Sequence, residues 1–352
     1  MTKPRLLFRV DANIDTGTGH FFRCLAIAQA AKKRGFESLF VGDIQGLYLN
    51  EMLEKNGFRY LSLLADKSNI EIDAKHFLQI AHKEKIRAVI VDDKILDFEW
   101  EGLIRQHVQV LAVIDDRPNR KHEVDILISP NIYKAGEKPF EGLVPIDCEI
   151  FLGPTSIPLR PEFRIFPNDR ALSESVTRVG SFFGGADPGN QSGLILQLAR
   201  LPRYSNIEFE VVTGPLNPMN LELFQIAETM HNVKIRTTVT DMAKFWGGID
   251  VAFGSYGIST WERCALGVPT ITSIQNSEQE SDADMLSLEE VVIDVGNIEV
   301  LSIEKLAASL DFLINHPLER AKICLNSKKI MVDSILKSDN CLGSILRQGI
   351  TE

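Results

Sequence analysis

Gly17, Gly19 and His20 are the residues of this chain whose types and spacing point most directly to chemistry. They follow an apolar run, Leu6–Val10, that ends in Asp11, and they precede a helical pattern over Phe21–Arg34. Strand, glycine turn and helix place one imidazole at a helix N-terminus. The partial positive charge there disfavours an imidazolium, so such a ring is suited to accept a proton. A carboxylate such as Asp11 can orient it. A neutral imidazole beside a ligand crevice is a general base toward water or a hydroxyl, typically worth ~100–10,000-fold. The position also suits a histidine that only caps or packs, so its role depends on what it faces. The other histidines (His76, His82, His107, His122, His231 and His316) form no HxxxH or HExxH pair. They are expected to be solvated or partly packed, and no metal site is expected.

The elements that must position His20 alternate between strand and helix. Strands are expected at Leu6–Val10, Ser38–Val41, Arg59–Leu63, Ala88–Asp92, Val110–Asp115, Val124–Ser129 and Cys148–Leu152, with helical patterns at Leu47–Lys55, Ile72–Lys83 and Phe98–Arg105. The runs Ala88–Val91 and Val110–Ile114 are continuously apolar, as in a parallel sheet buried on both faces. Several strands end in acids: Asp11, Asp92-Asp93 and Asp115-Asp116. In open α/β sheets the ligand crevice lies beyond the carboxyl ends of the strands, although such carboxylates also serve simply to cap turns.

A proline-rich stretch, with Pro154, Pro158, Pro161 and Pro167, then reads as an inter-domain linker. The alternation restarts with strands at Arg178–Phe183, Glu208–Thr213, Val233–Arg236, Val251–Phe253 and Thr270–Ser273. Helices are expected at Gln191–Arg200, Asn220–Met230, Met242–Phe245 and Thr260–Leu266, with later ones at Ile303–Ile314 and Leu318–Ile335 and a frayed tail. The fold class expected is α/β, two Rossmann-like doubly wound domains facing across a cleft. The domains are 1–155, carrying the histidine, and 177–352, joined by a linker over 156–176.

Two glycine turns in the second half can approach an anion. Gly184, Gly185 and Asp187 lie between a strand and a helix, where backbone N–H groups and the helix dipole favour negative charge. Ser255, Gly257, Ser259 and Thr260 repeat the design, and Glu262, one turn into the next helix, can accept hydrogen bonds from a ribose. Each turn alone is also an ordinary tight connection. GxGxxG is absent from the first turn and no P-loop occurs, which disfavours a nicotinamide or ATP enzyme.

Composition bounds the rest. The 352 residues suit two domains. A net charge of −10 argues against a nucleic-acid partner. Five scattered cysteines without a CxxC point away from a disulfide scaffold and toward a reducing compartment. No apolar run reaches the ~18 residues of a membrane span, and the residues before Leu6 do not read as a signal peptide. A cytoplasmic protein is expected.

The opening stretch resembles a known family, the UDP-sugar hydrolases of the pseudaminic acid pathway (PseG). Phe8-Arg9, Asp11, Gly17, Gly19-His20, Arg23 and Cys24-Leu25-Ala26 match without a gap. Further matches are Asp115-Asp116, Asp125-Ile126-Leu127, Asn131, the Tyr133 region, Glu141–Pro145 and Leu159–Phe163. In the second half they are Gly184-Gly185-x-Asp187 and Ser259–Cys264 with Leu266-Gly267-x-Pro269. The resemblance implies a glycosyltransferase-B fold, similar to MurG-type transferases. It implies hydrolysis of UDP-2,4-diacetamido-2,4,6-trideoxy-β-L-altropyranose by water attack at the anomeric carbon, with inversion and no cofactor. It places the catalytic histidine at His20, with Asp11, Asn13, Gly17, Gly19, Arg23, Asn131, Tyr133 and Arg160 toward the substrate. UDP would meet Gly184, Gly185, Asp187, Ser255, Gly257, Ser259, Thr260, Glu262 and Gln279. The expected partner is a small UDP-sugar, and the expected state a monomer. Two other readings stand beside this one: a glycosyltransferase of the same fold, in which His20 deprotonates an acceptor hydroxyl, and a non-catalytic nucleotide-sugar binder.

Overall fold

The computed structural model describes residues 4–63, 69–134, 136–154, 156, 158–165, 173–337 and 339–350. Two units build it, one over 1–161 with 334–352 and one over 162–333.

In the first unit β1 (Arg5–Val10), α1 (Gly19–Lys33), β2 (Glu37–Gly42), α2 (Leu47–Lys55), β3 (Arg59–Ser62), α3 (Ile70–Lys83), β4 (Ala88–Asp92), α4 (Phe98–Arg105), β5 (Val110–Ile114), β6 (Ile126–Ser129) and β7 (Glu149–Leu152) follow one another. The seven strands are all parallel, in the order β3-β2-β1-β4-β5-β6-β7. β1, β4, β5 and β6 are buried on both faces, which is why they read as apolar runs. The strand order reverses between β1 and β4, so the connections leaving these two strands diverge. That opens a crevice at their carboxyl ends. The β1–α1 turn that leads to His20 begins at one of them and Asp92 ends the other.

One buried charged cluster sits inside this core. Arg9, wholly buried in β1, donates to Asp73 of α3 (3.0 Å) and to Asp11 (2.8 Å), and the Trp100 indole of α4 donates to the other oxygen of Asp73 (2.8 Å). Every formal charge buried there is paired, as burial demands.

The second unit continues with α5 (Pro161–Ile165), β8 (Arg178–Phe182), α6 (Gln191–Ala199), β9 (Glu208–Val212), α7 (Asn220–Glu228), β10 (Val233–Arg236), α8 (Met242–Gly247), β11 (Val251–Ser255), α9 (Ile258–Leu266), β12 (Thr270–Ile274), α10 (Glu280–Leu288), β13 (Ile293–Asn297), α11 (Ile303–Asn315) and α12 (Pro317–Lys337). Six parallel strands take the order β10-β9-β8-β11-β12-β13. The reversal here lies between β8 and β11. The two glycine turns singled out in the sequence are the ones that leave these strands.

The segment read as a frayed tail is instead α13 (Asp339–Ile350), and it belongs to the first unit, not the second. Cys341, Leu342, Ile345 and Leu346 form its buried stripe, packed against β4, β5 and α1. Gly349 lets it close on Ala88, whose Cβ would lie 3.1 Å from an added Cβ. Ser344 donates to Glu149 of β7 at 2.5 Å. The polar Asn340, Ser344 and Gln348 between the apolar positions hid the helix. Strand β13 was likewise missed, because Ile293–Asn297 is short and only half buried. The linker expected over 156–176 falls in part outside the described residues.

Ile345 is completely buried in this contact. Ile345→Ala should therefore destabilise the first unit by about 2–5 kcal/mol, measured by native-state hydrogen exchange. Amides of β8–β13 should keep their protection.

Candidate active site

His20 is the second residue of α1, at the carboxyl end of β1. Its Nδ1 donates to Asp92 Oδ1 at 2.6 Å. Arg23, one turn along the same helix, donates to both Asp92 oxygens: Nε to Oδ2 at 2.5 Å and Nη2 to Oδ1 at 2.6 Å. The Cys24 thiol approaches Oδ2 at 3.8 Å. Each Asp92 oxygen thus meets two donors, and the carboxylate is fully buried. Burial alone would raise the Asp92 carboxyl. The charges and hydrogen bonds of Arg23 and His20 overcome it and hold the carboxyl at about 2. A permanently ionised acceptor on Nδ1 fixes the tautomer of a neutral ring, with the lone pair on Nε2. Nε2 makes no hydrogen bond among the described residues. The side chain is 14% exposed, enough for water or a ligand to reach it.

Arg23 continues the chain. Its Nη1 donates to Asp116 Oδ2 at 2.7 Å, and the other Asp116 oxygen is buried with no partner among the described residues. Asn131 donates to the Asp116 carbonyl at 3.1 Å. His20, Arg23, Asp92, Asp116 and Asn131 are therefore one connected set.

Each strand-end acid pair splits its duties. Asp92 turns to His20, while Asp93 accepts from the Ile95 and Leu96 amides at 2.8 and 3.1 Å and caps the turn. Asp116 turns to Arg23, while Asp115 accepts from the Arg117 amide at 2.9 Å and from His122 at 3.0 Å, and pairs with Arg120. Asp11 is not the residue that orients His20. It accepts from Arg9 and from the Asp43 amide (2.9 Å), joining β1 to the end of β2. Gly42 has no room for a side chain there, since a Cβ would lie 2.8 Å from Asp11 Oδ1.

The remaining first-unit candidates divide in the same way. Asn13 shapes the loop: its Oδ1 accepts from the Asp15 and Thr16 amides at 3.1 and 3.0 Å, and its Nδ2 donates to Asp43 at 3.0 Å. Gly17 adopts φ +70°, and a Cβ on Gly17 or Gly19 would point into open space. Tyr133 hydrogen-bonds Ser129 at 2.8 Å. Arg160 lies over the Phe22 ring, 5.2 Å from its centroid.

In the second unit the two turns are not equivalent. Asp187 uses its own carboxylate to accept from the Gln191 and Ser192 amides, both at 2.9 Å. The amino end of α6 is thus already occupied by an anion of the chain itself. Burial pushes the Asp187 carboxyl up, against those hydrogen bonds. Gly184 adopts φ +91° and Gly185 accepts from the Leu216 amide at 2.8 Å, so this turn is tied to the loop that follows β9. The amino end of α9 has no side-chain cap. Gly257 there adopts φ +124° with open space where a Cβ would point. Ser259 and Thr260 both face the Arg263 guanidinium, at 3.1 and 3.2 Å. Glu262 is buried in the same helix. Gln279 braces the turn, donating to the Tyr256 carbonyl at 2.9 Å and accepting from the Gln275 amide at 2.8 Å.

Sequence reasoning missed His122, which is fully buried between Glu101 (2.8 Å) and Asp115 (3.0 Å). Burial would lower its pKa, but the two carboxylates raise it to about 9. Alone, a histidine on a loop gives no sign of this. Two acids from α4 and the end of β5 close on it only in the fold.

The fold defines a class: a two-domain, Rossmann-like α/β protein with a fold of glycosyltransferase-B type. The chain matches MurG of Acinetobacter baumannii with a TM-score of 0.63 at 12% identity, covering 98% of this chain and 99% of that one. A UDP-glucosyltransferase from Polygonum tinctorium matches with a TM-score of 0.68 at 13% identity over 100% and 99%. No family model matches the chain. Among curated proteins, it is 27% identical over 244 residues to the UDP-2,4-diacetamido-2,4,6-trideoxy-beta-L-altropyranose hydrolase of Campylobacter jejuni, covering 68% of this chain and 80% of that protein. The resemblance to PseG-type hydrolases read from the opening stretch is found again in that match. The chain is also 22% identical over 300 residues to the spore coat polysaccharide biosynthesis protein SpsG of Bacillus subtilis, covering 84% and 85%. Against the uncharacterized protein MJ1062 of Methanocaldococcus jannaschii it is 23% identical over 283 residues, and it spans 56% of that protein's length.

The His122 pair makes a pH prediction. A group whose pKa is raised in the fold stabilises fully below its ordinary value, near 6.5, and that contribution is lost as pH rises through about 9. The first unit should lose on the order of 3 kcal/mol between these limits. Denaturant titrations across that range should show the loss in the native protein and a flatter profile in His122→Gln.

Proposed function

We propose that the protein is a nucleotide-sugar-processing enzyme, and within that class a hydrolase that releases UDP from a UDP-2,4-diacetamido-2,4,6-trideoxyhexose. The observation that carries the reading is the Asp92–His20 pair at the switch point of the first sheet. It leaves Nε2 as a proton acceptor without a partner among the described residues.

The reaction is a single displacement. His20 Nε2 takes a proton from water as the water oxygen bonds to the anomeric carbon. The bond from that carbon to the β-phosphate oxygen breaks, its electron pair leaves with UDP, and the configuration inverts. A phosphate leaving group needs no proton from an acid, and N–H donors suffice to meet its charge. Arg23 and Asp116 keep Asp92 ionised and in place, so the imidazolium formed in the transition state meets a negative charge at once. The second unit supplies the nucleotide subsite: the open amino end of α9 toward the diphosphate, and Glu262 toward the ribose. The protein would act in the cytoplasm as a monomer on a small soluble substrate. No helix of the described residues is long and apolar enough to cross a membrane.

A specific observation favours a second reading, transfer to an acceptor hydroxyl. The loops and helix start that follow β1, β2 and β4 carry exposed apolar residues: Ile14 (54% exposed), Leu47 (75%) and Ile95 (58%). Such a rim suits an acceptor with an apolar part.

Incubation with the UDP-sugar and no acceptor, followed by NMR, separates these readings. UDP and free sugar should both accumulate. His20→Ala should slow release by ~100–10,000-fold while UDP affinity stays within threefold. Full activity in that variant would remove the general base, and release only on addition of an acceptor would make the protein a transferase. UDP binding with no turnover under either condition would make it a binder. Glu262→Ala should weaken UDP binding by about 1–3 kcal/mol, measured by calorimetry.

A further inference from the structure

At the second switch point, among the described residues, burial holds the Arg263 guanidinium without a carboxylate in hydrogen-bonding contact. It is completely buried in α9, and no carboxylate pairs with it among the described residues. Its Nε has no hydrogen-bond partner among the described residues. The guanidinium lies against β11 at Gly254, where a Cβ would be 2.5 Å from Nη1, and 5.6 Å from the Trp246 ring centroid. Burial lowers its pKa only to about 10, even with Glu262, Cys264 and Tyr256 nearby, so it is charged at neutral pH. A buried, unpaired charge is costly, and the first unit shows the usual remedy in Arg9 and Arg23, each held by two carboxylates.

What Arg263 does contact is the turn. Nη2 donates to the Ser255 carbonyl at 3.0 Å, which also accepts from the Thr260 hydroxyl at 3.1 Å. Nη1 donates to the Ser259 hydroxyl at 3.1 Å. These bonds draw the last carbonyl of β11 inward. A carbonyl facing a bound anion would repel it, whereas amide groups attract it. The amino end of α9 has no side-chain cap and lies open at Gly257. At the sister turn Asp187 already fills the amino end of α6.

We propose that Arg263 is a positioning residue for an anionic group, a nucleotide diphosphate, at the amino end of α9, and that the ligand supplies its missing counter-charge. Arg263 acts through the Ser255 carbonyl, the Ser259 and Thr260 hydroxyls and its field, not by touching the ligand. The inference rests on the nucleotide reading of the second unit and narrows it to the α9 turn, because Asp187 already accepts from the amides at the amino end of α6.

The test uses the full chain. Calorimetry compares UDP with uridine for the native protein, Arg263→Met and Arg263→Lys. In Arg263→Met, UDP binding should weaken at least tenfold while uridine binding changes less than twofold. Arg263→Lys should recover most of the loss, and the ligand-free Met variant should melt no lower than the native protein. Parallel weakening of UDP and uridine would reduce Arg263 to a structural brace, and unchanged UDP binding in a folded Met variant would overturn the proposal outright. Should that variant not fold, hydrogen exchange of the native protein with inorganic pyrophosphate decides. Protection over 255–263 supports the inference, and protection over 184–192, or none, overturns it. If pyrophosphate protects 255–263 but UDP binds no tighter than pyrophosphate, the nucleotide reading fails while the anion site stands.

Discussion

The carboxylate of Asp92 is the point on which the first unit's chemistry depends. It is buried at the end of a central strand, where an isolated charge would be unstable, and four donors converge on its two oxygens. Two of the donors belong to Arg23, which spaces one helical turn from His20 so that both reach the same acid. Remove the arginine and burial would push the carboxyl up. Remove the acid and the arginine would keep only Asp116 as an ion-pair partner, and His20 would lose the partner that sets its tautomer. The motif is therefore a triad of mutual necessity: acid, base and the cation that keeps the acid ionised. Asp116 and Asn131 extend it outward from the strand ends.

The second unit solves a different problem with the same topology. Each sheet reverses its strand order once, and each reversal sets two loops apart. In the first unit the loops bring together side chains. In the second, one loop is closed by Asp187 and the other is left open above a buried arginine. Two turns that look alike as strings of glycine and serine thus differ in electrostatics: one carries its own carboxylate cap, and the other holds a buried guanidinium beneath a helix start without a side-chain cap.

Much of this was legible in the sequence. Continuous apolar runs marked the central strands because a parallel sheet buries both faces, and the strand-glycine-helix order placed His20 correctly. Strand-end acids pointed to the crevice, but not to which acid would do what. Asp11 ends the strand that leads to His20, yet Arg9 two residues earlier captures it. Asp92 is distant in sequence and close in space because β4 lies beside β1. The same limit hid His122, whose two carboxylates come from separate elements, and α13, whose stripe has meaning only against the first sheet. Asp187 and Asp115 show the converse: residues fitting for a ligand are used by the backbone of their own turns.

The central claim is that Asp92 fixes the His20 ring with Nδ1 protonated and Nε2 as the acceptor. Nitrogen-15 NMR of the histidine rings at pH 8.5, where free imidazoles are neutral, reads this directly, with His20 assigned by substitution. The account predicts that the neutral His20 ring carries its proton on Nδ1, and that Asp92→Asn disturbs this preference. A proton on Nε2, or a His20 signal indifferent to Asp92→Asn, would contradict it.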